Sequence, residues 1–387
     1  MKHFIKKRKR TKQADYCIFL DKNIINHKKV IRVLLILLLF FSVLLYQYGC
    51  KDNAVSPVLN GDSAWTFLGL GNEWITSIAV DPTNSNIIYT GSRYDFSSGT
   101  PGRLFKSTDN GKTWDTLILD YGAIYSSIII EPQSTNIIYV ASLKIIKSND
   151  GGITWSEKDK GITIISEEVG VETLVMDPKN SNILYAGTGG PMGGTMYKTT
   201  DGGTNWSNIG GDSLGDGVIS IAIDPGNTNT IYAGTAGACI IWKSTDAGQS
   251  WKRTGMSENG LIESICINPA NTEQIYAGTA LRGGVAIWES KDGGNSWSTS
   301  IRGLPSGVTV CNRLIFNPSE QFDLYECGEG VYDMNNQNSS WTEMDNGLPN
   351  SRVDLLVLDK DFNLYAGLQT LDTAMTGGIY RRRIVHR

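Results

Sequence analysis

The chain has 387 residues and only three histidines, His3, His27 and His386, so its long central part lacks the imidazole that Ser-His-Asp catalysis, Cys-His catalysis and His-ligated zinc require. Residues 1–49 hold 11 of the 35 basic and two of the 39 acidic residues, which leaves 24 basic and 37 acidic residues, a formal charge of about −13, in the remainder. This charge argues against nucleic acid as a partner and leaves carboxylate chemistry open. We predict no cofactor.

The N-terminus is typical of an export signal. A basic run at 6–10 precedes a 13-residue apolar run, VLLILLLFFSVLL at 33–45, which is short for a membrane span. Cys50 follows a glycine shortly after this run and resembles the lipidated cysteine of bacterial lipoproteins, which implies a lipid anchor on Cys50. An uncleaved signal anchor is the alternative. Both predict an extracytoplasmic, membrane-anchored protein, periplasmic or at the cell surface.

The boundaries follow from this assignment and from the repeats below. We predict a signal peptide at 1–50, a linker at 51–63, a folded domain at 64–383 and a tail at 384–387.

One repeated pattern, as in VISIAIDPGNTNTIYAGT at 218–235, has an apolar run, an Asp-Pro turn and a second apolar run. It recurs in seven units, whose Asp-Pro positions are 42 to 50 residues apart, the spacing of propeller blades. These positions are Asp81, Glu131, Asp177, Asp224, Asn268, Asn317 and Asp359. With two further short strands in each unit, the pattern predicts an all-β fold, a single seven-bladed β-propeller of four-stranded blades.

The two chain ends predict how the ring closes. AWTFLGLG at 64–71 reads as an isolated fourth strand, and the seventh unit ends in a third strand, GGIYRRR at 377–383. We therefore expect the N-terminal strand to complete the last blade, which also protects sheet edges.

A second motif lies between the third and fourth strands of five units: KSTDNGKTW at 106–114, KSNDGGITW at 147–155, KTTDGGTNW at 198–206, KSTDAGQSW at 243–251 and ESKDGGNSW at 289–297. Because a catalytic residue is rarely needed five times, we predict that the aspartate accepts backbone N–H groups of a hairpin and that the tryptophan packs between blades. The residues concerned are Asp109, Asp150, Asp201, Asp246, Asp292, Trp114, Trp155, Trp206, Trp251 and Trp297. One carboxylate per loop is too few for calcium, and we predict no metal site.

This motif resembles the Asp-box, or BNR repeat, of sialidases, the sortilin luminal domain, xyloglucanase-type glycoside hydrolases and photosystem II assembly factors. The resemblance covers most of 64–383 and implies a β-propeller, but the superfamily contains both enzymes and binding proteins. We find no sialidase FRIP segment and no arginine triad. Since xyloglucanase-type enzymes pair two propellers and this chain has room for one, the resemblance is closer to single-ring, non-enzymatic members.

Aligning the units on Asp-Pro identifies a candidate site at the mouth of the central channel. Five residues before that point stand Thr76, Ser126, Glu172, Ile219, Glu263, Asn312 and Asp354. We hypothesise that Glu172, Glu263 and Asp354, with Arg313, bind a cation, a sugar or a cationic segment of a partner. The alternative is a solvated channel in which these charges merely pair.

We predict a non-enzymatic binding or assembly scaffold, a monomer, that binds a protein or glycan on its loop-bearing face. The alternative is a glycoside hydrolase, sialidase-like or xyloglucanase-like, that uses Glu172, Glu263 or Asp354. Cys311 and Cys327 flank one predicted hairpin, so they form either a disulfide or two buried free thiols.

Overall fold

A computed structural model of the chain describes residues 64–93, 101–117, 124–164, 170–189, 193–211, 214–237, 239–256, 260–280, 286–317, 324–335, 339–370 and 376–384. The predicted signal peptide, Cys50 and the linker lie outside these residues. The described residues belong to one compact unit, Leu59–Arg387, and form 28 β-strands, numbered here β1 to β28. Within these ranges no helix is long and apolar enough to cross a membrane.

The first strand, β1, spans Thr66–Gly69, and the strands of the first three repeats that follow it form three four-stranded antiparallel sheets. The first sheet contains β2 (Ile75–Val80), β3 (Ile88–Ser92), β4 (Leu104–Ser107) and β5 (Asp115–Leu117). The second contains β6 (Ser127–Ile130), β7 (Ile138–Ala141), β8 (Ile145–Ser148) and β9 (Ser156–Glu157). The third contains β10 (Val171–Asp177), β11 (Asn180–Thr188), β12 (Met196–Thr199) and β13 (Ser207–Asn208).

The fourth and fifth repeats share one eight-stranded sheet. Its first half contains β14 (Val218–Ile223), β15 (Ile231–Gly237), β16 (Ile241–Ser244) and β17 (Lys252–Arg253). Its second half contains β18 (Gly260–Ile267), β19 (Ile275–Ala280), β20 (Ile287–Ser290) and β21 (Ser298–Thr299).

Two more four-stranded sheets follow. One contains β22 (Cys311–Phe316), β23 (Leu324–Gly328), β24 (Val331–Asn335) and β25 (Ser340–Glu343). The other contains β26 (Val353–Leu358), β27 (Asn363–Leu368) and β28 (Gly378–Arg383), and β1 pairs antiparallel with β28 at its outer edge.

The prediction of a closed ring of seven separate four-stranded blades is wrong. The described strands form five four-stranded sheets and one eight-stranded sheet. The fourth and fifth repeats form one sheet because β15 continues past Thr235 and pairs with the start of β18. In this extension Ala236 lies opposite Leu261 and Gly237 opposite Gly260. The all-β propeller architecture itself is confirmed, as five four-stranded blades beside this larger sheet.

The hydrophobic core lies between neighbouring repeats. Tyr89 and Leu104 of the first repeat pack with Ile138 and Ile146 of the second in one buried cluster, and the pattern recurs along the chain. The glycine of the second strand permits this close approach. A Cβ added at Gly234 would lie 2.4 Å from Ile262 Cγ2 on the next inner strand, so only glycine fits there. Fourth strands such as Ser156–Glu157 are exposed, which leaves them at the rim.

The Asp-Pro segments and the aspartate motifs lie at the same end of the strands. Asp81 Oδ1 accepts hydrogen bonds from the backbone N–H groups of Thr83 and Asn84, at 2.7 and 3.1 Å, as expected for a turn closed by its own aspartate. A backbone hydrogen bond then joins each turn to the motif of its repeat, for example from Asn110 N to Asn86 O at 2.9 Å. The other ends of the inner strands therefore lie on the opposite face.

Candidate functional site

Six inner strands carry a β-bulge at the position that the alignment singled out. In β10, for example, Val171 lies opposite Thr188 and Thr173 opposite Gly187, so that Glu172 is left out of the ladder. The six bulged residues are Thr76, Glu172, Ile219, Glu263, Asn312 and Asp354. A bulge re-aims its side chain and is common beside active sites. Three of the four predicted site residues, Glu172, Glu263 and Asp354, therefore lie at equivalent β-bulges.

Asp354 accepts the largest number of hydrogen bonds in this group. Gln369 Nε2 donates to Asp354 Oδ1 at 2.6 Å, Asn312 Nδ2 donates to the same oxygen at 3.4 Å, and Trp74 Nε1 donates to Oδ2. Burial raises the pKa of Asp354, whereas the bonds from Gln369 and Trp74 oppose that rise. Its carboxylate form is therefore better supported than that of its neighbours.

Glu172 and Glu263 are half-buried and have few donors. Burial raises the pKa of Glu172 to about 7, partly opposed by the charge of Arg93. Burial also raises the pKa of Glu263 to about 7, and the negative charges of Asp354 and Glu172 add to the rise. Near neutral pH each group is therefore partly protonated, which is the state required of a general acid.

Two residues outside the predicted set complete this cluster. Arg93 stacks its guanidinium 4.4 Å from the ring centroid of Trp74, and its charge lowers the pKa of both Glu172 and Asp354. Trp74 precedes β2 and Arg93 follows β3, so both lie at the same strand ends as the bulges. Sequence reasoning missed them because it aligned only the inner strands. The sequence did contain a signal for them, because Trp74 and Arg93 stand next to the same ends of the strands at which the acids occur.

Arg313, the fourth predicted site residue, shares a cavity with Glu172 but is not paired with Glu263 or Asp354 among the described residues. Its side chain is exposed, and it pairs in the ladder with Cys327. It lines the channel, in a cavity of about 190 Å³ that Glu172, Thr76 and Ser126 also line. The electrostatic partners of the acids at the mouth are thus one another, Arg93 and, for Asp354, also Arg352.

The five aspartate motifs, here called aspartate loops (106–114, 147–155, 198–206, 243–251 and 289–297), bond mostly to themselves. In the first loop, Asp109 Oδ1 accepts from Thr113 N at 2.9 Å and from Ser107 Oγ at 2.9 Å, and Oδ2 accepts from Thr113 Oγ1 at 2.7 Å. The bonds to Thr113 and Ser107 lower the pKa of Asp109 to about 2. Its carboxylate oxygens are engaged, which favours the predicted structural role.

The tryptophans of these loops were predicted to pack between blades, but the hydrogen bonds from Tyr89 and Lys106 to the next loop were not predicted. Tyr89 Oη donates to Gly151 O at 2.8 Å and Lys106 Nζ donates to the same oxygen at 2.7 Å, so one repeat holds the loop of the next. Trp114, Trp206 and Trp251 hold the preceding repeat by donating their indole N–H to backbone oxygens there. The loops therefore stabilise the contacts between repeats.

The disulfide alternative is wrong in this structure. Cys311 and Cys327 are buried free thiols, because the bulge at Asn312 places Cys311 opposite Gly328 and Cys327 opposite Arg313. The fully buried Glu326 precedes Cys327 and interacts with the Cys311 thiol, and burial raises its pKa to about 8. Across the described ranges, no three His, Cys, Asp or Glu side chains are arranged to hold a metal ion.

Comparison with known proteins gives partial similarity to xyloglucanases. No family model matches the chain. A probable oligoxyloglucan-reducing end-specific xyloglucanase of Neosartorya fischeri is 27% identical over 155 residues, 38% of this chain and 18% of that protein. The GH74 enzyme of Niastella koreensis matches with a TM-score of 0.60 and 19% identity, covering 78% of this chain and 52% of that chain.

A structure of YCF48 bound to D1 peptide matches with the same TM-score of 0.60 and 14% identity, covering 85% of this chain and 99% of that chain. The chain spans about a fifth of the length of the curated relatives it matches. The structural likenesses, at 19% and 14% identity, show the fold alone, and the two curated matches are both xyloglucanases.

Proposed function

We propose that the protein is a glycoside hydrolase that cleaves a polysaccharide of the xyloglucan class at the channel mouth. The observation that carries the proposal is the group of coupled carboxyl groups on bulged inner strands, two of which have pKa values raised to about 7. Glycosidases need one carboxylic acid that is protonated near neutral pH and one carboxylate that is not. The partial similarity to xyloglucanases supports the same substrate class.

The environments of Glu263 and Asp354 assign the two roles. Glu263 is destabilised as an anion by burial and by the charges of its neighbours, so it serves as the acid that donates a proton to the glycosidic oxygen. Asp354 accepts hydrogen bonds from Gln369, Asn312 and Trp74 and carries the negative charge, so it acts as the base or nucleophile at the anomeric carbon. Glu172 lines the channel and contributes to substrate binding.

Arg93 and Trp74 serve to position these groups. Stacking holds the guanidinium against the indole, and the indole N–H in turn donates to Asp354. Because Arg93 lowers the pKa of both Glu172 and Asp354, its removal would make both harder to ionise. The exported, membrane-anchored location inferred from the N-terminus would give such an enzyme access to extracellular polysaccharide.

The test is hydrolysis of xyloglucan by the full chain, measured as new reducing ends. We expect Glu263→Gln and Asp354→Asn each to lower kcat by about 100-fold or more, the usual size of a lost acid or base, with the circular dichroism spectrum unchanged. Asp115→Asn is the matched control, because Asp115 is exposed on the rim strand β5 and should leave turnover unchanged. Absence of turnover on xyloglucan and on other β-glucans between pH 4 and 8 would overturn the proposal.

A second candidate is a non-enzymatic scaffold that binds a protein segment or a glycan. It is favoured by the likeness to YCF48 bound to D1 peptide, which this chain matches over 99% of that chain's length. Under this alternative the acids at the mouth bind a cationic segment and the chain acts as a monomer. Binding without turnover, weakened by Glu172→Gln and by Asp354→Asn, would support it.

A further inference from the structure

A cavity of about 260 Å³ lies between the fourth and fifth aspartate loops. Its lining includes Lys243, Lys252, Arg253 and Thr254 from the fourth repeat and Gly294 and Asn295 from the fifth. It is on the face opposite the channel mouth, since the aspartate loops lie at the Asp-Pro ends of the strands. It is therefore separate from the proposed active site.

The charges on this cavity differ from those of every equivalent position. Lys243 on β16 lies directly opposite Lys252 on β17. In the other four repeats with an aspartate loop, the residue opposite the equivalent position is Asp115, Ser156, Ser207 or Ser298. Among the five repeats with an aspartate loop, only the fourth places two lysines in this cross-strand pair. Like charges directly opposite each other on paired strands are destabilising, so an anion between them would relieve that repulsion.

Nearby acids do not neutralise the two exposed cations. Lys252 and Arg253 are exposed and form no ion pair among the described residues. Asp246 and Asp292 are occupied by hydroxyl and backbone donors of their own loops. Glu273 lies beside Gly293, a lining residue to whose carbonyl oxygen Lys243 Nζ donates at 2.9 Å, and it does not itself line the cavity.

Where the fourth and fifth repeats meet, two buried polar atoms have no hydrogen-bond partner within the described ranges. They are Thr254 Oγ1, on the cavity lining, and Trp297 Nε1, of the fifth loop. At the equivalent junctions, Trp206 donates to Lys158 O at 2.6 Å and Trp251 donates to Ile209 O at 2.8 Å. Buried polar atoms without partners are rare in native proteins, and a bound ligand or water is one explanation for them.

A second cavity offers a comparison within the same molecule. It lies between the first and second aspartate loops, has a volume of about 450 Å³ and is lined by Lys106, Asp115, Thr116 and Trp155 among others. There the lysine faces an aspartate, so its charge already has a counterpart. The two cavities have the same position relative to their loops and differ in charge.

We propose that the cavity between the fourth and fifth aspartate loops binds an acidic sugar, with its carboxylate held between Lys243 and Lys252. Two features favour a sugar ring over a bare anion: the volume exceeds that of a small inorganic ion, and the Thr254 hydroxyl and the lining Trp251 offer a polar and an apolar contact for the ring. The site does not depend on the proposed hydrolase activity and would tether the protein to an acidic polysaccharide.

The experiment is calorimetric titration of the full chain with trigalacturonate, with neutral cellotriose and with inorganic sulfate, at low and at moderate salt. We expect trigalacturonate to bind more tightly than either comparison ligand and its affinity to fall with salt. The double variant Lys252→Asp, Arg253→Thr gives β17 the sequence of the first two residues of β5, and we expect it to weaken trigalacturonate binding at least tenfold while leaving the melting temperature unchanged.

The matched control is Asp115→Asn, at the comparison cavity, which should leave trigalacturonate affinity unchanged. Equal affinity for trigalacturonate in the double variant and the wild type would overturn the proposal, as would its failure to bind at all. Sulfate binding as tightly as trigalacturonate would also overturn it, because the cavity would then select charge alone. Xyloglucan hydrolysis should be unaffected by the double variant, which keeps failure here distinct from failure of the proposed activity.

Discussion

The two faces of this propeller hold carboxyl groups whose pKa values are shifted in opposite directions. In the aspartate loops, hydroxyl and backbone donors lower the pKa of Asp109, Asp201 and their equivalents to about 2. At the channel mouth, burial with few donors raises the pKa of Glu172 and Glu263 to about 7. Burial and the number of hydrogen-bond donors, rather than the residue type, decide whether a carboxyl group holds a loop together or is available for proton transfer.

The largest expected effect concerns turnover at the mouth. Because Glu263 must be protonated to act as the acid, we expect kcat to fall about tenfold for each pH unit above its pKa of about 7. Replacing Arg93 with alanine should move the acid limb of the profile to higher pH, since Arg93 lowers the pKa of Asp354. The pH dependence of xyloglucan hydrolysis measures both limbs. An unchanged profile in Arg93→Ala would contradict the positioning role.

The fully buried Glu326 tests how strongly burial raises the pKa of a carboxyl group. Glu326 is fully buried, no nitrogen or oxygen donor reaches it in the described part of the chain, and its pKa rises to about 8. The folded state then holds a proton that the unfolded state releases, so stability falls as pH rises from about 4.5 through 8. We expect Glu326→Gln to raise the free energy of unfolding by about 1 to 3 kcal/mol at pH 7.

The check is urea denaturation of both proteins at pH 4 and pH 8. The stability difference should be larger at pH 8, and Asp115→Asn, at an exposed acid on β5, is the control. A difference that is the same at both pH values would mean that Glu326 does not titrate in this range.

The stability that the aspartate loops contribute should change with pH in the opposite direction. The pKa of Asp201 is lowered to about 2, first by the side chain and backbone of Asn205, so its contribution to stability is present above about pH 4 and is lost as pH falls through 2. We expect Asp201→Ala to lower the melting temperature by a few degrees at pH 7 and to leave ligand affinity of the folded protein unchanged. Lost binding with intact stability would contradict this.

The smallest expected effect separates two equivalent tryptophans. Trp251 donates its indole N–H to Ile209 O at 2.8 Å, whereas Trp297 Nε1 has no partner within the described ranges. Measured by urea denaturation, Trp251→Phe should cost about 1 kcal/mol more than Trp297→Phe, the usual net value of a hydrogen bond. Equal losses would mean that Trp297 also has an acceptor in solution.

Sequence periodicity predicted much of the fold and identified three acids that the structure places at equivalent strand positions. The repeated Asp-Pro turns and aspartate motifs predicted the β-propeller, and the alignment found Glu172, Glu263 and Asp354 at bulges. It did not predict the eight-stranded sheet, because that depends on the length of β15 beyond its repeat. It also missed Arg93, because only the inner strands were aligned and Arg93 lies outside them. It missed the pairing of Lys243 with Lys252 because that pair depends on the register between β16 and β17.

The contrast between the two faces can be tested most directly by a ¹³C NMR titration of the side-chain carboxyl groups of Asp and Glu in the full chain. We predict that Glu172 and Glu263 titrate near pH 7 and that Asp109, Asp150, Asp201, Asp246 and Asp292 remain ionised down to about pH 2. Replacement of Glu263 by Gln should assign its signal. Titration of all these groups near pH 4 would contradict the account.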